Sequence, residues 1–450
     1  MEAGQLETGS LEGAGRGGTL RADPLLEVRD LRTHFGLRGS FGDRLRGAEA
    51  GSVRAVDGVS FDLRPGEVLG IVGESGSGKT TLGRTLLGLV DATDGSIKLE
   101  GEEITGLGET DFRELRKRLQ IVFQDPHASL NPALTIGASV GDPLRFHGLG
   151  GSDEERTGRV VAALERVGLA PAQQFMDKYP AALSGGQKQR AVLARAIILG
   201  PDILIADEPV SMLDMSVRAK ILELMLDLKR EFELTYVYIT HDLATAKFFC
   251  DRIAIMYLGR IVEIGPAAQI YDDPKHPYTQ ALLRAIPEPD PSRTVPRDLP
   301  RGEVPDAVMP PLGCSFHPRC PRAFEVCGWE SRDLRTLLEA RWTQLPEEEY
   351  ERERALIGDL DVLDEPATEC VLPAAPDASG DDAADVLGRL RAEAPDDPFW
   401  KGLASTEVEQ GGVRVRFREG IVPGDSEADA ALVRCHLYDE AALAKARAER

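Results

Sequence analysis

The segment GESGSGKT (73–80) has the residue types and spacing of a loop that binds phosphate groups. Glycines let the backbone wrap around a phosphate, so that successive N–H groups and the N-terminus of the following helix point at the anion. The amino group of Lys79 would neutralise the β and γ phosphates, and the hydroxyl of Thr80 would hold a metal ion. The residues that we expect to contact a nucleotide here are Gly73, Ser75, Gly76, Gly78, Lys79, Thr80 and Thr81.

Two carboxylates end the apolar run ILIADEP (203–209). Asp207 can reach a magnesium ion directly or through water, while Glu208 is placed to orient or deprotonate an attacking water molecule. An apolar run followed by two acidic residues is a weak signal alone. Downstream of a phosphate-binding loop it becomes a strong one, and it predicts hydrolysis of the bound nucleotide.

A second anion site is predicted in LSGGQKQR (183–190). Ser184 would cap a helix that starts near Gly186, so a hydroxyl, bare glycine N–H groups and the positive end of a helix lie together. Because the first loop already supplies one phosphate cradle, this site should serve a nucleotide held by another copy or by a partner. The residues concerned are Ser184, Gly185, Gly186 and Gln187.

These residues must be placed by buried strands and by the helices that follow them. VLGIVG (68–73) is a short apolar run typical of a central strand, and the helical pattern TTLGRTLLGL (80–89) comes directly after the glycine-rich loop. TYVYIT (235–240) is a further buried strand, and RIAIMYLGRIVEIG (252–265) predicts a hairpin with Gly259 at its turn. The order of strand, glycine-rich loop and helix is the context that a P-loop requires.

The order of P-loop, FQDP, LSGGQ, DEP, LD and THD resembles that of ABC-type ATPase domains over roughly residues 25–265. The resemblance implies an α/β P-loop fold with a mixed-sheet core, a small antiparallel β subdomain and a helical subdomain that carries LSGGQ, followed by a tail that contains cysteines. It also implies that two such domains close head to tail around ATP, and that hydrolysis lets them part, which delivers energy as domain motion.

The resemblance assigns further roles. Gln124 of IVFQDP matches the glutamine that contacts magnesium and the transport channel, and Asp214 of SMLDMS matches the D-loop aspartate. His241 of YITHDL matches the switch histidine that contacts the γ phosphate. Phe35 of RTHF matches the position where an aromatic ring, normally a tyrosine, stacks on adenine; an apolar core role for Phe35 is the alternative. Catalysis would rest on Glu208, His241, Gln124 and Lys79, and magnesium on Thr80, Gln124 and Asp207.

Three longer strings, FQDPHASLNP (123–132), PKHPYTQALLRAIP (274–287) and GCSFHPRCP (313–321), resemble the ATP-binding subunits of oligopeptide, dipeptide and nickel importers. The resemblance implies a second ATPase subunit, either a copy or a paralogue, two membrane permease subunits and an extracytoplasmic solute-binding protein. It places the chain at the cytoplasmic face of the membrane. An importer of nickel or another small solute, a regulatory ABC ATPase without transport and a nucleotide-binding scaffold without turnover are the alternatives.

Three cysteines, Cys314, Cys320 and Cys327, are separated by five and six residues, wider than the two-residue spacing of most structural zinc sites. Iron–sulfur clusters take four thiolates and tolerate irregular spacing. Cys370 and Cys435 are the candidates for a fourth ligand.

The family resemblance favours Cys435, because VRCHL matches the string that closes the tail in the importers. It implies a 4Fe–4S cluster at Cys314, Cys320, Cys327 and Cys435, and a structural staple is favoured over redox control as its purpose. Zinc, with His317 or His436 as a ligand, and free or reversibly oxidised thiols are the alternatives. Cys250, which lies in an apolar run, is predicted to be an inert core residue.

The composition limits the classes of protein to which this chain can belong. The chain has 450 residues with 42% hydrophobic content, which is enough for a full core and more than one domain. No apolar run is long enough to span a membrane and the N-terminus does not resemble a signal peptide, so we expect a cytoplasmic protein. A formal net charge of −22 argues against nucleic-acid binding as the main role, because phosphate binding requires clustered lysine and arginine. Most basic residues are arginine, and this acidic, lysine-poor character resembles proteins of salt-loving cells; an acidic tail on an ordinary protein is the alternative.

The domain boundaries follow from these patterns. An exposed hairpin insertion is predicted near residues 36–51, and the acidic insertion is expected to be ordered at most in part, around 372–398. The predicted parts are a disordered leader (1–24), the ABC ATPase domain (25–265), the HPYT segment and linker (266–311), and a cysteine-containing region (312–450) with an acidic insertion (about 328–434).

Overall fold

The structure is a computed structural model. It describes residues 23–37, 51–286 and 302–448. The predicted disordered leader, most of the exposed hairpin insertion and much of the linker lie outside these ranges, so those predictions are not addressed by the fold.

The chain forms fifteen strands and sixteen helices within its described part. The strands are β1 (Leu26–Gly36), β2 (Ser52–Leu63), β3 (Val68–Val72), β4 (Asp94–Leu99), β5 (Glu102–Glu103), β6 (Leu119–Val122), β7 (Ile203–Asp207), β8 (Thr235–Thr240), β9 (Arg252–Tyr257), β10 (Arg260–Pro266), β11 (Glu369–Pro373), β12 (Leu403–Glu409), β13 (Gly412–Phe417), β14 (Ser426–Ala428) and β15 (Ala431–Val433). The helices are α1 (Lys79–Leu86), α2 (Glu109–Leu115), α3 (Pro126–Ser129), α4 (Ile136–Phe146), α5 (Asp153–Arg166), α6 (Gln173–Met176), α7 (Gly185–Ile197), α8 (Met215–Phe232), α9 (Leu243–Phe249), α10 (Ala267–Asp272), α11 (Pro277–Arg284), α12 (Ser331–Trp342), α13 (Glu347–Arg354), α14 (Gly380–Glu393), α15 (Phe399–Gly402) and α16 (Glu440–Ala448).

The central sheet has eight strands in the order β14-β15-β10-β9-β3-β8-β7-β6. The five strands from β9 to β6 run parallel, and β10, β15 and β14 add antiparallel pairs at the other side. Every residue of β3, β7 and β8 is buried, as expected for parallel strands covered on both faces. The predicted mixed sheet is confirmed, and so is the hairpin turn at Gly259, which has φ +77°. Cys250 is buried beside this sheet, which confirms it as a core residue.

Two further layers complete the ATPase domain. β2, β1, β4 and β5 form a separate antiparallel sheet whose apolar face packs against α1. The helices from α3 to α7 form a helical subdomain, in which α4, α5 and α7 pack against one another through buried side chains. Both predicted subdomains are therefore present, and the P-loop helix α1 lies between the central sheet and the antiparallel sheet.

The acidic insertion is folded, so the expectation of partial order at most was wrong. Strands β11, β13 and β12 form an antiparallel sheet, which packs with α12 and α14 around an apolar core; residues 323–327 and α16 also contribute to this core. The apolar residues that build this core are spread thinly along an acidic sequence. In α14, Ala383, Val386, Leu387 and Leu390 are buried on one face, while β13 alternates valine with arginine. The charged residues between them hid the periodicity of both elements.

The two ends of the insertion lie next to each other. The N–H of Ile421 donates a hydrogen bond of 2.9 Å to the carbonyl of Val326, and Gly420 lies against Gly328. The chain then forms β14 and β15, and β15 pairs with β10 of the central sheet. This pairing returns Cys435 to the region of Cys327 although about a hundred residues separate them in sequence.

None of the helices in the described ranges combines the length and apolar character needed to cross a lipid bilayer.

Candidate nucleotide site and cysteine cavity

The P-loop joins β3 to α1, and close backbone approach explains its glycines. A Cβ atom at Gly73 would lie 2.1 Å from the carbonyl oxygen of Met256, and one at Gly78 would lie 1.9 Å from that of Ala55. Gly78 and Gly76 also have left-handed backbones, with φ 100° and 79°. The loop thus lies against β9 and β2, and a Cβ atom fits at neither Gly73 nor Gly78.

Lys79 is buried inside this loop. Its Nζ donates hydrogen bonds of 2.8 Å to the carbonyl oxygens of Gly73 and Glu74. Burial lowers the pKa of Lys79, while the nearby carboxylates of Glu208 and Asp207 act in the opposite direction. The loop therefore places the amino group of Lys79 at the start of α1, where its protonated form would meet the charge of a phosphate.

Thr80 and Asp207 lie together at the carboxyl edge of the central sheet. The Thr80 hydroxyl donates a hydrogen bond of 3.2 Å to Oδ1 of Asp207. Burial raises the pKa of Asp207, and the bond from Thr80 lowers it. A hydroxyl and a carboxylate are hard oxygen donors, and Mg²⁺ in phosphate sites needs only one or two such protein groups besides the substrate oxygens. The two residues therefore fit the magnesium ion that ATP requires.

Glu208 is the centre of a second cluster. Its Oε2 accepts a hydrogen bond of 2.8 Å from Nε2 of Gln124, and its Oε1 lies 2.8 Å from Nδ1 of His241. Its backbone is in the left-handed region with φ +48°, a conformation that is costly for a side chain other than glycine and often marks a functional position. The structure therefore brings together three residues that lie far apart in sequence and that the resemblance assigned to one reaction.

The LSGGQ segment begins α7 with a reciprocal cap. The Ser184 hydroxyl accepts a hydrogen bond from the N–H of Gln187, and the Gln187 side chain accepts one of 3.0 Å from the N–H of Ser184. The predicted cap is confirmed, although the helix starts at Gly185 rather than Gly186. Ser184 and Gly185 are exposed, so this helix end is open to a partner.

Asp214 and Phe35 lie on the surface as well. Asp214 precedes α8 and is exposed. Phe35 on β1 is 44% exposed, so the alternative of a core residue is wrong. Its stacking on adenine stays a prediction.

Sequence reasoning missed the contacts that the tail makes with the P-loop. Arg319 donates hydrogen bonds of 3.0 and 3.3 Å to the two carboxylate oxygens of Glu74, and the N–H of Glu74 donates one of 3.1 Å to the hydroxyl of Tyr278. Tyr278 belongs to the HPYT string and Arg319 to GCSFHPRCP. Both strings had been interpreted only as family signatures, and no local pattern shows that they meet at Glu74.

The residues of the HPYT string also have a structural role. His276 caps α11 by accepting a hydrogen bond of 3.0 Å from the N–H of Tyr278 at its Nδ1. The N–H groups of Lys275 and His276 donate to the buried carboxylate of Glu263 on β10, at 2.8 and 2.9 Å. Burial lowers the pKa of His276 to about 3, so the ring is neutral and free to accept. These bonds fix α11 to the central sheet.

The structure brings four of the six cysteines together. Cys314, Cys320, Cys327 and Cys435 line one small cavity. Cys370 lies instead on β11, paired with Val415 in the sheet of the insertion. The position of Cys435 agrees with its choice over Cys370 as the fourth thiol.

Backbone N–H groups face each of these four sulfur atoms. Burial raises the pKa of every thiol, to about 12 for Cys320, while the backbone donors lower it. No such donor acts on Cys370. Hydrogen bonds to sulfur are typical of metal-bound thiolates. The donors are Phe316 and His317 to Cys314, Arg322 to Cys320, Phe324 to Cys327 and Leu437 to Cys435.

The two histidines differ. Nδ1 of His317 lies 2.8 Å from the carbonyl oxygen of Cys314, and Nε2 lies 3.0 Å from Oδ2 of Asp333. Burial lowers the pKa of His317, but the carboxylate of Asp333 outweighs this and raises it. Both nitrogens face acceptors, so the alternative of His317 as a zinc ligand is wrong.

His436 donates from Nε2 to the carbonyl oxygen of Ile421 at 2.7 Å. Its buried Nδ1 has no hydrogen-bond partner in the described part of the chain. Across residues 23–37, 51–286 and 302–448, no group of three or more His, Cys, Asp or Glu side chains has the arrangement needed to hold a metal ion. The four thiols thus share a cavity without standing in the geometry of a metal centre.

Comparison with known proteins extends these observations. The family described as ABC transporter matches residues 56–211, and the family described as oligopeptide/dipeptide transporter, C-terminal region, matches residues 262–327. The oligopeptide transport ATP-binding protein AppF of Bacillus subtilis is 45% identical over 308 residues, which is 68% of this chain and 92% of that protein. The di/tripeptide transport ATP-binding protein DppF of Pseudomonas aeruginosa is 44% identical over 316 residues, 70% of this chain and 95% of that protein.

Among solved structures, a dimeric post-hydrolysis state of the ATP-binding cassette MJ0796 bound to ADP and Pi matches 54% of this chain and 98% of its own, with 29% identity and a TM-score of 0.47. The family assignment rests on the sequence relatives and the two matched families. The chain belongs to the ABC transporter family, among the ATP-binding subunits that carry the oligopeptide/dipeptide transporter C-terminal region, and it is an ATPase.

Proposed function

We propose that this ATPase powers the import of oligopeptides or dipeptides through membrane permease partners. The support is the C-terminal region matched at residues 262–327, together with two relatives named for oligopeptide and di/tripeptide transport. Neither of those names concerns nickel or a regulatory role, so those alternatives are not favoured. The partners would be a second ATPase subunit, two permease subunits and an extracytoplasmic solute-binding protein, with this chain at the cytoplasmic face of the membrane.

The cluster around Glu208 carries the proposed hydrolytic mechanism. Water attacks the γ phosphorus of ATP, the bond to the bridging oxygen of the leaving ADP breaks, and the Glu208 carboxylate accepts the proton of the water. Gln124 and His241, which hold the two oxygens of this carboxylate, would orient it and contact the γ phosphate. Magnesium, bound by Thr80, Asp207 and Gln124, would neutralise charge that develops on the phosphate oxygens.

The remaining residues would bind the nucleotide. Lys79 and the P-loop N–H groups would hold the β and γ phosphates, and Phe35 would stack on adenine. The exposed end of α7 would complete the site on the opposite subunit in a head-to-tail dimer. The residues at that face are Ser184, Gly185, Gly186, Gln187 and Asp214.

Uptake of a labelled dipeptide into cells that carry the complete transporter tests this function. Glu208→Gln should reduce uptake at least about a hundredfold, because the proton of the water then has no acceptor. Cys370→Ser, which lies far from the site, should leave uptake unchanged. Full uptake by Glu208→Gln would contradict the proposal, and uptake of radiolabelled nickel instead of peptide would favour the nickel alternative.

We further propose that Cys314, Cys320, Cys327 and Cys435 hold a 4Fe–4S cluster. Four thiols at one cavity, with backbone N–H donors beside them, supply the four ligands that such a cluster takes, and binding would draw the sulfur atoms into its geometry. Bound there, it would cross-link the segment from Cys314 to Cys327 to the segment that follows β15, and it would supply one-electron chemistry. Zinc held by the same thiols, or with His436 Nδ1 in place of one, is the alternative.

Anaerobically purified protein should absorb at about 400 nm and contain iron and sulfide. Cys320→Ser should lose this band, and Cys370→Ser should keep it. Colourless protein with stoichiometric zinc in both the parent chain and Cys370→Ser would contradict the cluster.

A further inference from the structure

The tail reaches the P-loop through one ion pair. Two nitrogen atoms of the Arg319 guanidinium group donate hydrogen bonds of 3.0 and 3.3 Å to the two carboxylate oxygens of Glu74. The side chain of Arg319 is only 9% exposed. A two-point pair between a guanidinium and a carboxylate fixes direction as well as distance. Glu74 is the second residue of the P-loop, so the tail acts on the loop itself rather than on a neighbouring surface.

The segment from Cys314 to Cys327, called the cysteine segment below, sets the position of Arg319. The residue ends the short 3₁₀ turn His317–Arg319, which lies between Cys314 and Cys320. Phe316 packs against Tyr257 of β9 and Tyr278 of α11, with both pairs of ring centroids 5.3 Å apart. The turn is therefore fastened to the central sheet on one side and to the cysteine cavity on the other.

The backbone of Glu74 connects Arg319 to Lys79. The carbonyl oxygen of Glu74 accepts a hydrogen bond from Lys79 Nζ, while its N–H donates to Tyr278. One residue thus joins the tail, α11 and the P-loop lysine. A shift of Glu74 would move the carbonyl that orients the cation for the phosphates.

We propose that Arg319 is a positioning residue for the nucleotide: by holding Glu74, it lets the cysteine segment set the affinity of the P-loop for MgATP. The inference rests on the proposed nucleotide site and extends it to a contact that crosses from the tail. Removing Arg319 leaves every P-loop residue in place but frees the loop at its second position.

Binding of MgATP to the full chain, measured by calorimetry, tests the proposal. Arg319→Gln should raise Kd about tenfold, an effect typical of residues that act on a site through a neighbour. Glu74→Gln should raise it by a similar factor. In the double variant the two effects should not add, because both remove the same contact. Arg319→Lys, which keeps the charge but loses the two-point geometry, should fall between the parent and Arg319→Gln.

Arg332→Gln is the matched control. Arg332 pairs with Glu330 in the same tail, and its contacts lie away from the P-loop. It should lower the thermal stability but leave Kd unchanged. An equal rise in Kd for Arg332→Gln would show that destabilisation of the tail is the cause and would overturn the proposal, as would additive effects in the double variant.

Lys79→Ala distinguishes a failure of the nucleotide site from a failure of the positioning role of Arg319. If it abolishes binding while folded Arg319→Gln binds normally, the nucleotide site stands and the positioning role fails. If Lys79→Ala binds MgATP as the parent does, the proposed site itself fails. Should Arg319→Gln not fold, Arg319→Lys and Glu74→Gln give the same comparison, and normal Kd values for both would overturn the proposal.

Discussion

Glu208 shows how a chemical role can oppose a backbone preference. Its φ of +48° would suit glycine, but the two oxygens of its carboxylate contact Gln124 and His241 at once. The sequence predicted the carboxylate from the motif ILIADEP, and the resemblance assigned Gln124 and His241 to the same reaction without predicting their contacts with Glu208. The left-handed backbone could not be predicted, because no local pattern shows that the N–H of Glu208 bonds to the carbonyl oxygen of Ile239 on β8.

Comparison of Glu208→Gly with Glu208→Ala isolates this backbone cost. Both variants lose the same side-chain contacts, but alanine must adopt the left-handed conformation with a Cβ atom. The free energy of unfolding should therefore be about 1 kcal/mol higher for Glu208→Gly. Denaturant titrations of the two variants measure it, and phosphate release should be absent in both. Equal stabilities would show that the conformation carries no strain.

Asp57 predicts a pH dependence. Burial raises the pKa of Asp57, but hydrogen bonds from Arg260 and His34 outweigh this and hold the pKa below 3.8. A lowered pKa in the folded state gives a stabilisation that is present above about pH 3.9, the unfolded value, and is lost as the pH falls through the folded value. This pair ties β2 to β10, so it joins the antiparallel sheet to the central sheet.

Asp57→Asn should lower the free energy of unfolding by about 2 kcal/mol at pH 7. The difference from the parent chain should shrink as the pH falls through the lowered pKa of Asp57 in the folded chain, because the carboxylate then loses its charge. Urea unfolding at a series of pH values measures this. A difference that stays constant down to pH 2 would mean that the lost interaction does not depend on the charge.

At the scale of strands and helices, the confirmed predictions are those based on an apolar pattern, a turn or a helix cap within a short stretch of sequence. The buried strands β3, β7 and β8, the hairpin at Gly259 and the cap of α7 all follow from short patterns. It failed in the insertion, where a low density of apolar residues was interpreted as disorder. The core there forms only when three strands and two helices meet, so no single window of sequence contains its signal.

Leu372 tests whether the insertion has a packed core. It is fully buried on β11, so Leu372→Ala should lower the stability of this unit by about 2–5 kcal/mol. Val362 in the same unit is 61% exposed, and Val362→Ala should change it by less than about 0.5 kcal/mol. Hydrogen exchange of the insertion measures both. Rapid exchange in the parent chain, unchanged by Leu372→Ala, would show that the insertion is not packed.

For the whole molecule, the sequence predicted the ATPase architecture and its chemistry, but not how the tail is connected to it. The contact of Arg319 with Glu74 spans 245 residues, and the contact of Cys435 with the other cysteines depends on β15 joining the central sheet. Such contacts are set by topology, which a single sequence does not display.

The formal net charge of −22 predicts a dependence on salt. Repulsion among exposed carboxylates weakens as the Debye length falls from about 10 Å at 0.1 M to about 3 Å at 1 M salt. The midpoint of thermal unfolding should therefore rise with potassium chloride over this range. Trehalose at equal osmolality is the control for excluded-volume effects and should raise the midpoint less. A midpoint that falls with salt would favour the ordinary acidic tail over a salt-adapted surface.

The adjacent ends of the insertion have a consequence for evolution and engineering. Because Val326 and Ile421 are joined by a hydrogen bond, the distance between the flanking segments does not depend on how many residues lie between them. A lineage can lengthen, shorten or exchange this module while the surrounding scaffold keeps its shape. For the same reason, a fluorescent reporter grafted between these two ends should leave the spacing of the flanking segments unchanged.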